Sequence, residues 1–318
     1  AKARAFTQRG KRFIFKGPGI PQNRKVPLEL FDIHEYAQSI LYRIAFARAE
    51  STMTESNSKQ KVIAIAPKLT SLASVFGSAF IIYDIVLKDR GKRMKCTNHR
   101  LLLGMSVSDV LSSFCFFMTS WPIPAGTPGV FGAIGNQETC IAQGFFSQFS
   151  LATAMYNTSL SVFYILQIRL GWKKDRIARS AEPLLHVVSL GVGLGTSFAG
   201  IGLDLYNNDM WECWIAPYPL DCKETWKYGS EGNCVRGDNA SLYRWVLYYA
   251  ILWTAIVVVT VCMVLVYRFV LSNEKAAEKY GSHCHERKFS KKVAVQGYWY
   301  CGAFYGTWFF PTTARLIQ

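Results

Sequence analysis

The order of apolar and polar residues divides the chain into long uncharged stretches separated by charged connections. A transmembrane helix needs about 20 predominantly apolar residues, and six stretches are that long or nearly so. Their expected limits are 65–87, 101–121, 140–168, 183–205, 245–268 and 292–315. The last three contain uncharged runs of 21, 23 and 22 residues, which core helices of soluble proteins rarely reach. The pattern predicts an all-α, multi-pass transmembrane bundle that follows a polar, basic leader over residues 1–61.

The distribution of charge predicts how the bundle is oriented in the membrane. The net charge of +15 would by itself favour a nucleic-acid partner. The basic residues, however, concentrate in alternate connections: the odd connections hold 18 Lys and Arg, and the even ones hold four. Basic short loops stay on the cytoplasmic side of a membrane. The odd connections are therefore predicted to be inside, with membrane lipids and no nucleic acid as the expected partner.

The leader disagrees with this topology, because residues 1–61 hold 12 basic and five acidic residues. Two explanations stay open. Met53 is a candidate translation start, which would leave residues 1–52 untranslated. Alternatively, the leader is a cytoplasmic tail that reverses the topology. The difference in basic residues between odd and even connections, 18 against four, is larger than the excess of basic residues in the leader, and it favours the first explanation.

Four of the nine cysteines are predicted on the exterior side, namely Cys140, Cys213, Cys222 and Cys234. An oxidising exterior permits two disulfides, in three possible pairings. Cys140–Cys213 with Cys222–Cys234 is the favoured pairing, since the first bridge would hold the fourth connection over the bundle and the second would close a small loop. The alternative is that the predicted membrane topology is wrong and that these four cysteines are free thiols.

Two sequons for N-linked glycosylation occur in the chain. Asn239-Ala-Ser lies in the predicted exterior connection and is a candidate glycan site. Asn157-Thr-Ser lies in the middle of the third predicted span, where no glycosylating enzyme reaches, so we interpret it as structural.

Polar side chains inside the predicted spans indicate which helices face one another. Asp109 is an acid in the interior of the second span, where an ionisable group must face the bundle interior or water. It is a candidate switch residue, or alternatively a carboxyl group satisfied by the nearby Ser106, Ser108 and Ser112. The third span is predicted to be central because it carries many polar residues: Gln143, Ser147, Gln148, Ser150, Thr153, Asn157, Thr158, Ser159 and Ser161.

Familiar catalytic patterns are absent from the sequence. It has no His-Glu-x-x-His helix, no Gly-x-Ser-Gly elbow, no second intramembrane aspartate beside Asp109 and no phosphate-binding glycine loop. We therefore expect no enzyme activity, no catalytic residue and no cofactor. His283-Cys284-His285 has metal-ligating side chains, but its place in a charged inner connection argues against a metal site.

Three motifs give the chain a resemblance to a known family. Asn98 precedes the intramembrane Asp109 in the run Asn-His-Arg-Leu-Leu-Leu-Gly-Met-Ser-Val-Ser-Asp, Cys140 opens the third span, and the pair Cys213-Trp214 follows the fourth. From about Leu69 onward the chain resembles G-protein-coupled receptors, specifically the cyclic-AMP receptor-like and secretin-like groups. The resemblance implies a Cys140–Cys213 bridge and a heterotrimeric G protein as partner.

The chain also departs from this family. The inner end of the third span has Arg169 in Leu-Gln-Ile-Arg-Leu-Gly-Trp, where rhodopsin-like receptors have Asp-Arg-Tyr. Arg169 is nevertheless the candidate switch residue at that end. The family has seven spans, so a seventh helix is expected in the complete protein.

The sequence thus predicts a plasma-membrane receptor for an unknown extracellular ligand. Alternatives are a six-span transporter or channel and an intramembrane lipid-modifying enzyme. A ligand pocket is expected between the outer halves of the second, third, fifth and sixth spans, where aromatic and amide side chains concentrate: Trp121, Gln143, Gln148, Trp245, Tyr248, Tyr305 and Trp308. For the three tryptophans, an interfacial aromatic belt is an equally good interpretation.

Overall fold

A computed structural model describes residues 56–88, 92–279 and Gly306. The α-helices are α1 (Ser56–Tyr83), α2 (Thr97–Met118), α3 (Gln137–Phe149), α4 (Leu151–Tyr164), α5 (Lys174–Arg176), α6 (Glu182–Gly202), α7 (Thr225–Tyr228), α8 (Ala240–Arg244) and α9 (Ala250–Lys279). Single π-helical turns cover Asp84–Lys88, Ile165–Arg169, Ile177–Ala181 and Trp245–Tyr249, and 3₁₀ turns cover Lys92–Lys95 and Gly229–Glu231. Strands β1 (Tyr206–Asn208) and β2 (Cys213–Ile215) pair antiparallel. The chain is mostly helical, as predicted, with this one hairpin added among the described residues.

Four helical stretches are long and apolar enough to cross a membrane: Lys61–Lys88, Thr97–Met118, Lys174–Gly202 and Ala240–Asn273. They correspond to the first, second, fourth and fifth predicted spans. The sixth predicted span, 292–315, lies outside the described residues except for Gly306. Length and composition therefore identify four spans, not six, within the part of the chain that the structure describes.

The third predicted span, 140–168, is not one continuous α-helix. It consists of α3, α4 and the π turn that follows, and the α-helix is interrupted at Ser150. There the Ser150 N–H donates to the Ser147 carbonyl at 3.3 Å, and the Thr153 N–H donates to the Ser150 carbonyl at 3.0 Å. These bonds between residues three apart tighten the chain to 3₁₀ geometry for one turn.

Three helices begin earlier than the apolar pattern predicts. α1 begins at Ser56, inside the predicted leader, of which residues 1–55 lie outside the described part. The fourth span begins at Lys174 instead of residue 183, and the fifth begins at Ala240 instead of residue 245. Apolar periodicity detects only the lipid-crossing part of a helix, and these polar turns continue it beyond that part.

The first span buries small polar side chains and exposes large apolar ones. Ser71, Ser74 and Ser78 are buried, whereas Phe76 and Phe80 are exposed. In water this arrangement would be unfavourable, but in lipid apolar side chains face outward and small polar ones mediate helix contacts. The distribution is therefore that of a membrane helix.

The third predicted span is central, as expected from its polar residues. α4 packs against α2, α6 and α9, and α3 packs against α2, α6 and β2. α4 contributes to two apolar clusters, one around Leu151 and Trp214 and the other around Tyr156 and Leu160. We call the end of the bundle with segments 119–136 and 203–239 the disulfide end, and the end with segments 84–88, 92–96 and 165–181 the basic end.

Candidate functional site

The β1–β2 hairpin is anchored at the disulfide end. Asn136 caps α3 by accepting the Thr139 N–H at 2.9 Å, and the Asn136 N–H donates to the Thr139 hydroxyl at 2.8 Å. This capping box fixes where α3 begins and so places Cys140 in its first turn. Cys140 forms a disulfide with Cys213, the first residue of β2.

The hairpin is part of the protein core. Tyr206, Trp214 and Ile215 are buried, and the Tyr206 hydroxyl donates to the Ser197 carbonyl at 2.8 Å. Burial raises the pKa of Tyr206 above its ordinary value. Because these side chains fill the space between α3, α6 and the fifth span, the hairpin closes the disulfide end of the bundle.

Gln143 joins the hairpin to two helices. Its Nε2 donates to the carbonyls of Cys115, at 3.1 Å, and Thr119, at 2.7 Å, both at the end of α2. Its Oε1 accepts the backbone N–H of Cys213 at 2.8 Å. The buried amide therefore uses both its donors and its acceptor to hold α2, α3 and β2 together.

Gln148 makes the corresponding connection to the fifth span. Its Oε1 accepts the indole N–H of Trp214 at 3.0 Å, and its Nε2 donates to the Leu247 carbonyl at 3.0 Å. Gln148 is completely buried. It therefore fixes the position of the hairpin relative to the start of the fifth span.

Aromatic contacts reinforce this connection. The rings of Trp214 and Tyr248 meet edge to face with their centroids 4.9 Å apart, and Tyr249 lies 6.3 Å from Trp214. The Tyr248 hydroxyl is 3.2 Å from the Ser150 hydroxyl, so the tyrosine reaches the turn between α3 and α4. Such edge-to-face pairs stabilise by about 0.5–1.5 kcal/mol beyond the burial of their surface.

Charged side chains lie beneath the hairpin. Arg244 donates to the Ile215 carbonyl and lies 3.6 Å from the buried carboxylate of Asp209. Glu212, also buried, accepts from the Ser147 hydroxyl at 3.4 Å. The turn of the hairpin thus brings two carboxylates into the bundle, close to the third and fifth spans.

The predicted pocket residues fall into two groups. Gln143, Gln148 and Tyr248 come together, but they contact the hairpin instead of lining an open space between helices. The sequence analysis missed Trp214 at their centre, although its position beside Cys213 was a usable signal. Tyr305 and Trp308 lie outside the described residues.

Trp121 and Trp245 are not brought into this group. They are 41% and 43% exposed, which fits the alternative of an interfacial aromatic belt. Lys68 of α1 lies over the Trp121 ring at 3.5 Å. Its ammonium also donates to the last carbonyls of α2, those of Phe117 at 3.1 Å and Met118 at 3.2 Å.

Asp109 is half-buried and faces α1. Its Oδ2 accepts from Ser74 and Ser78, each at 2.7 Å, and the Ser113 hydroxyl donates to Ser74 at 3.0 Å. The sequence signal for these partners is the stripe of Ser71, Ser74 and Ser78, which lie three and four residues apart on one face of a helix.

The proposed serine partners from the same helix were wrong. Ser108 and Ser112 donate instead to the carbonyls of Gly104 and Ser108, at 2.9 and 3.0 Å, and no hydrogen-bond partner of the Ser106 hydroxyl is found in the described part of the chain. A helical serine can donate to the carbonyl four residues earlier on its own helix. The hydrogen bonds from Ser74 and Ser78 to the carboxylate come from the facing helix instead.

Arg169 is exposed at the end of its π turn. One of the buried ionic contacts at the basic end involves residues that the sequence analysis missed. Arg100 pairs with Glu182, which also accepts from Thr97 at 2.7 Å. His186 lies 3.9 Å from Glu182. These contacts join the start of α2 to the start of α6.

The second disulfide, Cys222–Cys234, closes the small loop at the disulfide end, so both bridges match the favoured pairing. Asn239, the candidate glycan site, is half-buried at the start of α8, and its Oδ1 accepts the Trp226 N–H at 2.6 Å. Beside it, hydrogen bonds from Thr225 lower the pKa of Asp238. Glycosylation of Asn239 stays a prediction.

Within the described residues, no group of three or more His, Cys, Asp or Glu is arranged to hold a metal ion. His283-Cys284-His285 lies outside them. Comparison with protein-family models and with curated proteins finds no match to this chain.

Proposed function

We propose that this chain is the membrane bundle of a G-protein-coupled receptor, which conveys the binding of an extracellular ligand to a heterotrimeric G protein. The observation that carries the proposal is the set of hydrogen bonds from the hairpin to the helices. Gln143 connects the hairpin to α2, and Gln148 connects it to the fifth span. A ligand that displaces the hairpin changes bonds on the second, third and fifth spans together.

The proposed orientation places the disulfide end outside the cell and the basic end inside. It is supported by the 18 basic residues of the odd connections against four in the even ones. The two disulfides at the opposite end agree with an oxidising exterior. Multi-pass insertion in the plasma membrane, with six or seven spans, belongs to the same proposal.

In the proposed mechanism the bundle has two packings, and the ligand binds one of them more tightly. Each 1.4 kcal/mol of such preference changes the population ratio about tenfold. At the basic end, the Arg100–Glu182 pair and the exposed Arg169 are the groups whose surroundings a relative helix movement alters. In the middle of the bundle, the Asp109 bonds to α1 are the candidate switch.

The test is nucleotide exchange by purified heterotrimeric G proteins in the presence of the full chain in lipid nanodiscs. We expect exchange with at least one G-protein class to exceed that with empty nanodiscs, since two-state receptors populate the active packing without ligand. Solute and ion flux, measured with the full chain in proteoliposomes, tests the alternative of a transporter or channel. Solute or ion flux without exchange by any G-protein class would replace the receptor with that alternative.

A further inference from the structure

The helix of the fourth span continues beyond its apolar part at the basic end, and this extension carries exposed cations. Lys173, Lys174, Arg176 and Arg179 are all exposed. We call these four residues the basic patch. One exposed acid, Asp175, lies among them, so the patch has a clear excess of positive charge.

Three other cations at this end have carboxylate partners, while the exposed Lys95 and Arg169 occur in none of the ion pairs within the described residues. Lys88 and Arg93 pair with Asp84, and Arg100 pairs with Glu182. In the described ranges, 56–88 and 92–279, none of the ion pairs involves a residue of the basic patch. Its charge is therefore available to an anion outside the protein.

The patch begins at the depth of lipid headgroups and extends beyond it. The exposed apolar surface of α6 begins at Leu184. At 1.5 Å per residue, Arg179 is about 8 Å and Arg176 about 12 Å further along the helix. Headgroups occupy about 5–8 Å on each side of the hydrocarbon core. Arg179 thus reaches the phosphodiester layer, and the other cations lie just beyond it.

Neighbouring side chains hold the patch in place and fit the membrane interface. Ile177 is buried and anchors the extension to the bundle. The Arg176 guanidinium lies over the Trp172 ring at 4.1 Å, and Leu170 is exposed beside it. A tryptophan and an exposed leucine next to clustered cations are typical of surfaces that enter the headgroup region.

We infer that the basic patch binds the headgroup of a polyphosphorylated inositol lipid in the leaflet at the basic end. Four cations within seven residues match a headgroup that carries several phosphate charges, and a single-charge lipid would leave most of them unneutralised. The lipid's glycerol and acyl part extends from the Arg179 level toward Leu184. The inference requires that the chain cross a bilayer, and it is independent of G-protein coupling.

The experiment measures binding of short-chain phosphatidylinositol 4,5-bisphosphate to the full chain in detergent micelles, by native mass spectrometry. The test variant is Lys173→Gln/Lys174→Gln/Arg176→Gln. The matched control, Lys223→Gln/Lys227→Gln/Arg236→Gln, removes three cations from the disulfide end. At about 1 kcal/mol for each cation, the test variant should bind roughly 100-fold more weakly. The control should bind like the wild type.

Two further measurements keep the outcome interpretable. Lys174→Arg/Arg176→Lys preserves the charge and should retain the affinity, which separates loss of charge from misfolding. Soluble inositol trisphosphate should bind more weakly than the lipid, since it lacks the glycerol and acyl part. Unchanged lipid affinity in the test variant, or equal loss in both triple variants, overturns the inference. Loss of G-protein exchange at unchanged lipid affinity overturns it too, because the patch would then be a protein-docking surface.

Discussion

The indole N–H of Trp214 donates a 3.0 Å hydrogen bond to the side-chain oxygen of Gln148, although the two residues are 66 positions apart in the sequence. Both lie in or beside the apolar cluster at the disulfide end. Water cannot easily replace the bond there, because both groups are buried. The relationship fixes the hairpin to the third span, and the Leu247 contact extends it to the fifth.

Replacement of Gln148 by Ala should destabilise the protein strongly. The change leaves the buried Trp214 indole N–H without its acceptor, at about 1–3 kcal/mol, and also removes the bond to the Leu247 carbonyl. The control is Gln137→Ala, since the half-buried Gln137 makes one bond to the hairpin, to the Tyr206 carbonyl at 3.1 Å. We expect that change to cost about 1 kcal/mol. Thermal unfolding of the full chain in detergent measures both, and equal midpoints would contradict the assignment.

The two disulfides should contribute unequally to stability. Cys140–Cys213 spans 73 residues and Cys222–Cys234 spans 12. In the chain-entropy treatment, the larger loop stabilises by about 4 kcal/mol and the smaller by about 3 kcal/mol. The Cys140→Ser/Cys213→Ser variant should therefore have the lower unfolding midpoint. Non-reducing peptide mapping of the wild type should recover both pairs, and free thiols at these four positions would disprove the pairing.

Substitutions of Asp109 distinguish a switch from a structural carboxyl group. Leu should destabilise the bundle by about 1–3 kcal/mol for each bond lost, because it removes the hydrogen bonds that the carboxylate accepts from Ser74 and Ser78. Asn keeps an acceptor oxygen but cannot ionise. If the carboxylate is a switch, Asp109→Asn should leave surface expression intact while changing basal nucleotide exchange or its dependence on pH. An Asn variant that behaves like the wild type in every signalling assay would exclude the switch.

The proposed topology predicts which tags are accessible on intact cells. A short epitope at Ser230, in the exposed turn of the small disulfide loop, should be labelled without permeabilisation. The same epitope at Ser180, exposed at the basic end, should be labelled only after permeabilisation. The opposite result would reverse the topology and favour the leader as a cytoplasmic tail. Asn239→Gln should also remove an endoglycosidase-sensitive mass shift.

Some of this architecture could be predicted because it depends on local or compositional signals. Uncharged length located the helices around α1, α2, α6 and α9, and the parity of basic connections selected the four cysteines that form the bridges. Hydropathy, however, gives no information on where a polar helix end stops, so the extension to Lys174 was missed.

Other features depend on contacts between distant residues. Gln143 and Gln148 were expected to bind a ligand because aromatic and amide side chains concentrate in the outer halves of the predicted spans, but the observed hydrogen bonds of both amides are to the protein itself. Gln143 accepts from Cys213, 70 residues further along the chain, and Gln148 accepts from Trp214, 66 residues further along. The hairpin places both partners next to the amides. Likewise, the serines of its own helix were one of two alternatives for Asp109, since the sequence around Asp109 does not specify that Ser74 and Ser78 of α1 face it.

The contact of Lys68 with the end of α2 has a consequence for how the bundle moves. The ammonium holds two terminal carbonyls of α2 and the face of Trp121, the Asp109 bonds hold the middle, and Asp84 pairs with Arg93 where the chain turns between the two helices. The first two helices are thus clamped at three heights. These contacts oppose sliding of α1 against α2. In the proposed two-packing mechanism, the two helices therefore shift relative to each other only when these contacts, including the candidate switch at Asp109, are broken.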